Sequence, residues 1–118
     1  MEVKFTPLQV TDLVFHDKLP KGNSELNIEL STDLMVPKDL KKQYFLARYN
    51  LKITDNNKNF LFEIVLKTRG NYTGSFQDSD TLTKEIEKSL TKVFPQIQSI
   101  IRNVTRDFGM EPMDIPLE

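Results

Sequence analysis

The stretch that decides the fold runs from Thr81 to Phe108 and reads TLTKEIEKSLTKVFPQIQSIIRNVTRDF. Its apolar residues recur at spacings of three and four, which is the period of one face of an α-helix. They are Leu82, Ile86, Leu90, Val93, Phe94, Ile97, Ile100, Ile101, Val104 and Phe108. Most positions between them are charged or polar. The pattern predicts one long amphipathic helix whose apolar stripe packs against another layer of structure.

Signals for the two ends of this helix flank the stretch. Asp78 and Asp80 stand where the helix dipole favours anions, and Gly109 suits a left-handed C-terminal cap. Pro95 lies inside the stretch. Because an interior proline removes a backbone hydrogen bond and clashes with the preceding turn, we expect a kink or a break there.

Four extended segments precede the helix and predict strands. They are residues 1–17, a second segment around Leu26, Ile28 and Leu30, then residues 44–54, and finally residues 60–76. The first segment changes the parity of its apolar residues twice, which requires bends near Pro7 and near Thr11 and Asp12. Loop residues occupy 19–23 and turn residues 55–59. Strands followed by one helix predict a single α+β domain over residues 1–118.

The last predicted strand differs from the others in being apolar on both faces. Residues 60–66 read FLFEIVL, whereas a strand with one wet face alternates apolar and polar side chains. We therefore expect both sides of the sheet to be covered at this point. The helix supplies one cover, and a partner subunit is a candidate for the other.

Charge is abundant but balanced, with 16 basic and 17 acidic residues and a formal net charge of −1. A nucleic-acid partner is not expected, because such binding requires an excess of Lys and Arg on one face. Lys38, Lys41 and Lys42 are the nearest approach to a basic cluster. They stand beside Asp39 and are typical of a solvated entry to a strand.

The chain has no cysteine, which excludes disulfides and agrees with a reducing compartment. No stretch approaches the roughly 20 apolar residues that cross a bilayer. Residues 1–12 lack the uninterrupted apolar core of a signal peptide. We therefore expect a cytoplasmic protein without a membrane span.

No pattern of side chains nominates a catalytic centre. His16 is the one histidine, and a polar residue at a strand end explains it more simply than a general base, since no orienting partner or cleft is indicated. Glu85 and Glu87 are two apart on a helix and point in different directions. We expect a binding protein and not an enzyme, with no metal and no cofactor.

Three stretches resemble the SecB family of protein-export chaperones. Residues 3–15, VKFTPLQVTDLVF, resemble the family's opening strand, with an Asp followed by an apolar residue and a Phe. Residues 60–64, FLFEI, resemble a strand that carries one Glu among apolar residues. Residues 93–116 contain a Phe-Pro within the helix, then Gly109 and a Pro-containing ending. The similarity covers nearly the whole chain, although each motif is short.

The resemblance implies a four-stranded antiparallel sheet packed on one long kinked C-terminal helix. It also implies a homo-oligomer, a dimer or a dimer of dimers, with helices sandwiched between sheets. The apolar helix residues expected at that interface are Leu90, Phe94, Ile97 and Ile101. The motif Phe94-Pro95 matches a kink that family members share.

By the same resemblance, Leu26, Ile28 and Leu30 correspond to residues lining a groove for unfolded polypeptide. The alternation of the strand leaves open that they simply face the core. Asp12 and Glu63 match acidic positions that dock the export motor ATPase, and His16 stands at a third such position. Family members continue into a second helix that helps to form the groove. This chain ends at Glu118, so we expect a more open groove.

The leading hypothesis is an ATP-independent chaperone-like protein that holds non-native or extended polypeptide on an apolar groove. Its client is then a set of preproteins or one dedicated protein, such as an antitoxin. The alternative is a non-chaperone interaction or assembly protein, encoded by a phage or mobile element, that keeps a SecB-like fold. A small-molecule carrier is a third hypothesis, and it requires an enclosed cavity between sheet and helix.

Overall fold

A computed structural model describes residues 2–18 and 25–117. The strands are β1 (Val3–Phe5), β2 (Gln9–Asp17), β3 (Leu26–Met35), β4 (Tyr44–Asp55) and β5 (Phe60–Tyr72). The helices are α1 (Ser79–Glu87) and α2 (Phe94–Asp107), joined through a short 3-10 helix (Leu90–Val93). The predicted α+β order, strands first and helix last, is confirmed. The loop expected at residues 19–23 lies outside the described residues.

All described strands pair antiparallel in one sheet. β5 and β4 are central, β3 lies beside β4 at one edge, and β1 and β2 follow one another along the other side of β5. The predicted first strand is thus divided into two at Pro7, which is why the structure has five strands where four were expected. The register of β2 shifts between Val10 and Asp12. At this bulge the hydroxyl of Thr11 donates to the carbonyl oxygen of Val65 at 3.2 Å, as the change of parity predicted.

The helical part begins where the sequence predicted and bends in the middle. The carboxylate of Asp78 accepts a hydrogen bond from the backbone N–H of Thr81 at 2.7 Å. This bond lowers the pKa of Asp78 below its usual range. The chain leaves α2 through Gly109, whose φ of +83° lies in the left-handed region.

Pro95 marks the break, although it does not stand in a helix interior. It is the second residue of α2, and the 3-10 turn precedes it. A proline in the first helical turn costs no hydrogen bond, because the N–H groups of that turn have no partner within the helix. The predicted kink is therefore a junction between two helices, and together they form one bent helical layer.

The core lies between this layer and one face of the sheet. Fully buried strand residues such as Tyr49, Ile64 and Leu66 pack with Leu82 and Ile86 of α1 in one apolar cluster. The hydroxyl of Tyr49 donates to the carbonyl oxygen of Leu90 at 2.8 Å. Burial raises the pKa of Tyr49 to about 12. One buried polar contact thus joins the middle of the sheet to the bend in the helical layer.

The segment after α2 turns back and packs along it. Ile115 is 4% exposed and belongs to the core. The side chain of Gln98 donates to the carbonyl oxygen of Ile115 at 2.7 Å, and the hydroxyl of Thr105 accepts from the backbone N–H of Met113 at 2.9 Å. Arg102 forms an ion pair with Asp114. Residues 110–117 are therefore part of the packed structure.

Candidate polypeptide-binding surfaces

Because side chains alternate along strands, the register assigns each strand residue to one of two faces. We call the face under the helices the covered face. In β4 and β5 it includes Phe45, Ala47, Tyr49, Leu51, Ile53, Phe60, Phe62, Ile64 and Leu66, none more than 1% exposed. We call the opposite side the open face. In the same strands it includes Leu46, Arg48, Asn50, Lys52, Leu61, Glu63, Val65, Lys67 and Arg69. These are exposed or half-buried, so no part of the described chain covers them as the helices cover the other side.

The predicted client-binding residues lie at the edge of the covered face. Leu26, Ile28 and Leu30 of β3 pair with Asp55, Ile53 and Leu51 of β4, so they share the face that the helices cover. Leu26 and Leu30 are half-buried against the core, whereas Ile28 is 40% exposed. We call Leu26, Ile28, Leu30 and Leu34 the β3 flank. The β3 flank is compatible with both interpretations of the sequence, a client-binding groove and a core-facing position. Its residues adjoin the core and still present apolar surface.

The β3 flank also adjoins unpaired backbone. Among the described residues β3 pairs with β4 alone, which leaves the N–H and C=O groups of its outer side without a strand partner. Such an edge accepts an additional extended chain through main-chain hydrogen bonds. Apolar side chains and a free strand edge thus occur together at Leu26–Met35.

A second apolar area, which the sequence interpretation missed, lies at the opposite margin of the covered face. Val10 is 42% exposed, Leu13 39%, and Phe108, the C-terminal cap of α2, 42%. The rings of Phe108 and Phe15 are 4.7 Å apart between centroids. We call Val10, Leu13, Phe15 and Phe108 the β2 flank. The sequence signal for the β2 flank is the change of parity between Val10 and Leu13, which the bulge places on the same face.

The residues predicted for an oligomer interface lie in or beside the core of their own chain. Leu90 is 9% exposed, and Ile97 and Ile101 are fully buried. Their side chains belong to the apolar cluster between the helices and the sheet, and their role at an oligomer interface stays a prediction. Phe94, the fourth residue, is half-buried and packs against the core from its margin.

The residues predicted to dock a motor ATPase share the open face. Val14 of β2 is directly opposite Glu63 of β5, and Asp12 and His16 stand two residues to either side of Val14. Asp12 and His16 are exposed, and Glu63 is half-buried. The register thus brings Asp12 and His16 of β2 onto one surface with Glu63 of β5, which is distant from them in sequence. Their role in docking stays a prediction.

The other half of the open face carries basic residues that the sequence interpretation did not single out. Arg48 of β4 is directly opposite Lys67 of β5, and Arg69 is two residues further along β5. Arg48 forms an ion pair with Asp33 at 2.7 Å. The guanidinium of Arg69 lies 4.3 Å from the centroid of the Tyr44 ring.

These basic residues border an open groove of about 440 Å³. We call it the basic groove and define it by Arg48, Lys67, Arg69, Leu46, Met35 and Pro7. Met35 is 66% exposed and Leu46 43%, so its surface is both apolar and cationic. The residues are distant in sequence, and only the strand register brings them together.

Within residues 2–18 and 25–117, no group of three or more His, Asp or Glu residues is arranged to hold a metal ion. Neither α1 nor α2 has the length and apolar content to cross a membrane. His16 is exposed on the open face. The described residues do not nominate a catalytic centre.

The strand order, the shared edge of β1 and β2 on β5 and the bent helical layer define a SecB-like fold. The structure is similar to that of the SecB-like chaperone Rv1957 of Mycobacterium tuberculosis, solved in complex with a ChAD peptide from the HigA1 antitoxin, with a TM-score of 0.76 and 10% sequence identity. That match covers 98% of this chain and 90% of Rv1957. The resemblance indicated by the sequence motifs is thereby confirmed at the level of the fold.

A second similar structure is a protein of unknown function from Streptococcus agalactiae. It has a TM-score of 0.56 and 11% identity, and the match covers 99% of this chain and 98% of that one. No protein-family model matches the sequence, and no curated protein matches it. The fold is therefore shared with proteins whose sequences are only 10% and 11% identical to this one.

Proposed function

We propose that this protein is an ATP-independent chaperone-like protein that binds non-native or extended polypeptide along the β3 flank. The observation that carries the proposal is the exposed Ile28 between half-buried Leu26 and Leu30, beside the unpaired edge of β3. An extended client offers both an apolar side chain for this surface and a backbone for that edge.

The physical basis of binding is burial of apolar surface and completion of backbone hydrogen bonds. Removing apolar area from water contributes roughly 25 cal/mol per Å². Main-chain bonds to β3 are independent of client sequence, while Ile28 and its neighbours select apolar side chains. Neither contribution requires nucleotide hydrolysis. A non-native chain that folds buries the apolar surface through which it was bound, and it then no longer binds.

Two client classes are compatible with this surface. One is a range of preproteins, and the other is a single dedicated client such as an antitoxin. The SecB-like chaperone Rv1957, which has the same fold, is bound to a peptide from an antitoxin. This favours a polypeptide client for the present protein, and we extend the proposal to a dedicated client on that basis.

We further propose that the protein is a cytoplasmic homo-oligomer, a dimer or a dimer of dimers. The β2 flank supports this, because Val10, Leu13 and Phe108 expose apolar surface at a margin where a second copy can cover it. Asp12, His16 and Glu63 on the open face are the proposed contact for an export motor ATPase. Light scattering that shows a monomer at all protein concentrations would contradict the oligomer.

Aggregation of a chemically unfolded substrate, followed by light scattering with and without equimolar protein, tests the main proposal. We expect the wild type to suppress aggregation. Ile28→Asp should weaken substrate binding by about tenfold, because it removes the apolar contact and introduces a charge that must be desolvated. The matched control is Val14→Asp, since Val14 is 38% exposed, close to the 40% of Ile28, but lies on the open face.

Three outcomes would contradict the proposal. Equal binding by wild type and Ile28→Asp would exclude the β3 flank as the client site. Absence of any suppression by the wild type would favour the alternative, an interaction or assembly protein that keeps the SecB-like fold without client binding. Equal losses in Ile28→Asp and Val14→Asp would indicate a general effect of added charge.

A further inference from the structure

The basic groove concentrates positive charge that the rest of the molecule does not neutralise. The chain as a whole has a formal net charge of −1, yet Arg48, Lys67 and Arg69 stand within two residues of one another on adjacent strands. Arg48 has a carboxylate partner in Asp33. Among the described residues no acidic side chain forms an ion pair with Lys67 or Arg69.

This arrangement has a cost for the isolated chain. Like charges directly opposite on neighbouring strands destabilise a sheet, and Arg48 and Lys67 are directly opposite. An anion in the groove would convert the repulsion into attraction to a common partner.

The groove also offers apolar contacts that a simple anion does not use. Met35 and Leu46 lie directly opposite one another on β3 and β4, and Leu46 is directly opposite Arg69. Both are exposed. A ligand that matches this row carries an apolar group beside negative charge, which is a property of acidic peptide segments with apolar side chains.

Acidic residues limit the extent of the basic area. On the open face, the next cross-strand row after Arg48 and Lys67 contains Asp12. The row after that contains Glu63 and Glu29. A long polyanion such as nucleic acid would pass from the basic groove onto these carboxylates and be repelled. A short acidic segment stays within the basic half, where Asp33, which also lines the groove, is already paired with Arg48.

We propose that the basic groove binds a short acidic segment of a partner polypeptide, with an apolar side chain on Met35 and Leu46 and carboxylates at Arg48, Lys67 and Arg69. The site is on the opposite face from the β3 flank and does not depend on the function proposed there. Strands are spaced about 4.8 Å apart and an extended residue advances about 3.3 Å. Crossing the two strand spacings from β3 to β5 therefore requires about three residues.

Fluorescence anisotropy with a labelled eight-residue peptide of alternating Glu and Leu tests the proposal. The neutral comparison is the same peptide with Gln in place of Glu. We expect the acidic peptide to bind wild-type protein at least about tenfold more tightly than the neutral one, since two or more charge contacts contribute. Raising the salt from about 0.1 M to about 1 M should remove most of that preference, because the Debye length falls from about 10 Å to about 3 Å.

The decisive variant is Lys67→Glu combined with Arg69→Glu. We expect it to bind the acidic peptide at least about tenfold more weakly, because repulsion replaces attraction at two positions. Lys41→Glu combined with Lys42→Glu changes the net charge equally on an exposed segment outside the groove and should bind as the wild type does. Thermal unfolding of both variants verifies that each is folded.

Three outcomes would overturn the proposal. They are equal affinity for the acidic and neutral peptides, equal losses in the two double variants, and binding of an oligothymidine at least as tight as that of the acidic peptide. Ile28→Asp supplies an independent control, because it lies on the other face and should leave acidic-peptide binding unchanged. A failure of aggregation suppression with intact peptide binding would reject only the function proposed for the β3 flank.

Discussion

The two faces of β4 and β5 are built from alternating residues of the same strands, yet they have different physical environments. Under the helices, Phe62 and Ile64 are fully buried. Between them in sequence, Glu63 is half-buried on the open face, and Val65 follows it there. The positions on the covered face therefore determine stability. The alternate positions, on the open face, are free to carry charge and to take part in recognition. A single strand can satisfy both demands because its side chains alternate strictly.

The largest expected effect tests this difference directly. Phe62→Ala should reduce the free energy of unfolding by about 3–5 kcal/mol, since it removes a fully buried ring and leaves a cavity. Val65→Ala should reduce it by less than about 1 kcal/mol, because its side chain is only partly removed from water. Urea unfolding followed by circular dichroism measures both values, with Phe62→Leu as a milder substitute if Phe62→Ala does not fold.

Comparable losses at Phe62 and Val65 would remove the distinction between the faces. They would mean that the open face is itself covered, by a second subunit or a partner. Repeating the urea titration at several protein concentrations separates these cases, because stability that comes from association depends on concentration.

A smaller effect is expected at Gly70, where β5 passes the ring of Phe45 on the covered face. Phe45 and Gly70 are directly opposite in the sheet, and a Cβ atom at Gly70 would overlap the ring. Gly70→Ala should therefore cost about 1–3 kcal/mol. Asn71→Ala, the next residue and an exposed one, should cost less than about 0.5 kcal/mol. If Phe45→Leu does not relieve part of the cost of Gly70→Ala in the double variant, the collision is not its cause.

The smallest expected effect concerns Tyr49 on the covered face, whose contribution to stability depends on pH. Tyr49→Phe removes the hydrogen bond to Leu90 and should cost about 1 kcal/mol at neutral pH. Burial raises the pKa of Tyr49 to about 12 from 10.0, so the folded state holds the proton more tightly than the unfolded state. The associated stability is present below pH 10 and is lost as pH rises from 10 to about 12.

The wild type should therefore lose stability more steeply than Tyr49→Phe over this range of pH. All other titratable groups are the same in the two proteins, so the difference between them isolates Tyr49. Parallel stability curves from pH 10 upward would show that the hydroxyl is not held in the core as described.

Local signals in the sequence were sufficient for the elements and their ends. Asp78 and Gly109 cap the helical layer where the capping preferences predict, and Pro95 marks the junction between α1 and α2. The parity of apolar residues located the bend near Pro7 and the bulge near Thr11. Each of these features depends on neighbours within a few residues, which is why one sequence reveals them.

Features that depend on the strand register could not be predicted from the sequence in the same way. Helical periodicity indicates that Ile97 and Ile101 are buried but not whether their own sheet or another subunit buries them, and the structure assigns them to their own sheet. Arg48 and Lys67 are separated by a whole hairpin in sequence and become neighbours only when β4 pairs with β5. Surface sites of this kind require the fold before they can be recognised.

The position of β2 has a consequence for how the chain forms. Residues of β2 are synthesised near the beginning, yet their partners lie in β5, and Phe15 meets Phe62 only after β3 and β4 have been made. The hairpins β3–β4 and β4–β5 join neighbouring segments, whereas β2 closes the sheet over a long loop. Ile115 enters the core near the very end of the chain. A protein proposed to hold non-native chains thus leaves its own β2 without its strand partner until β5 has been synthesised.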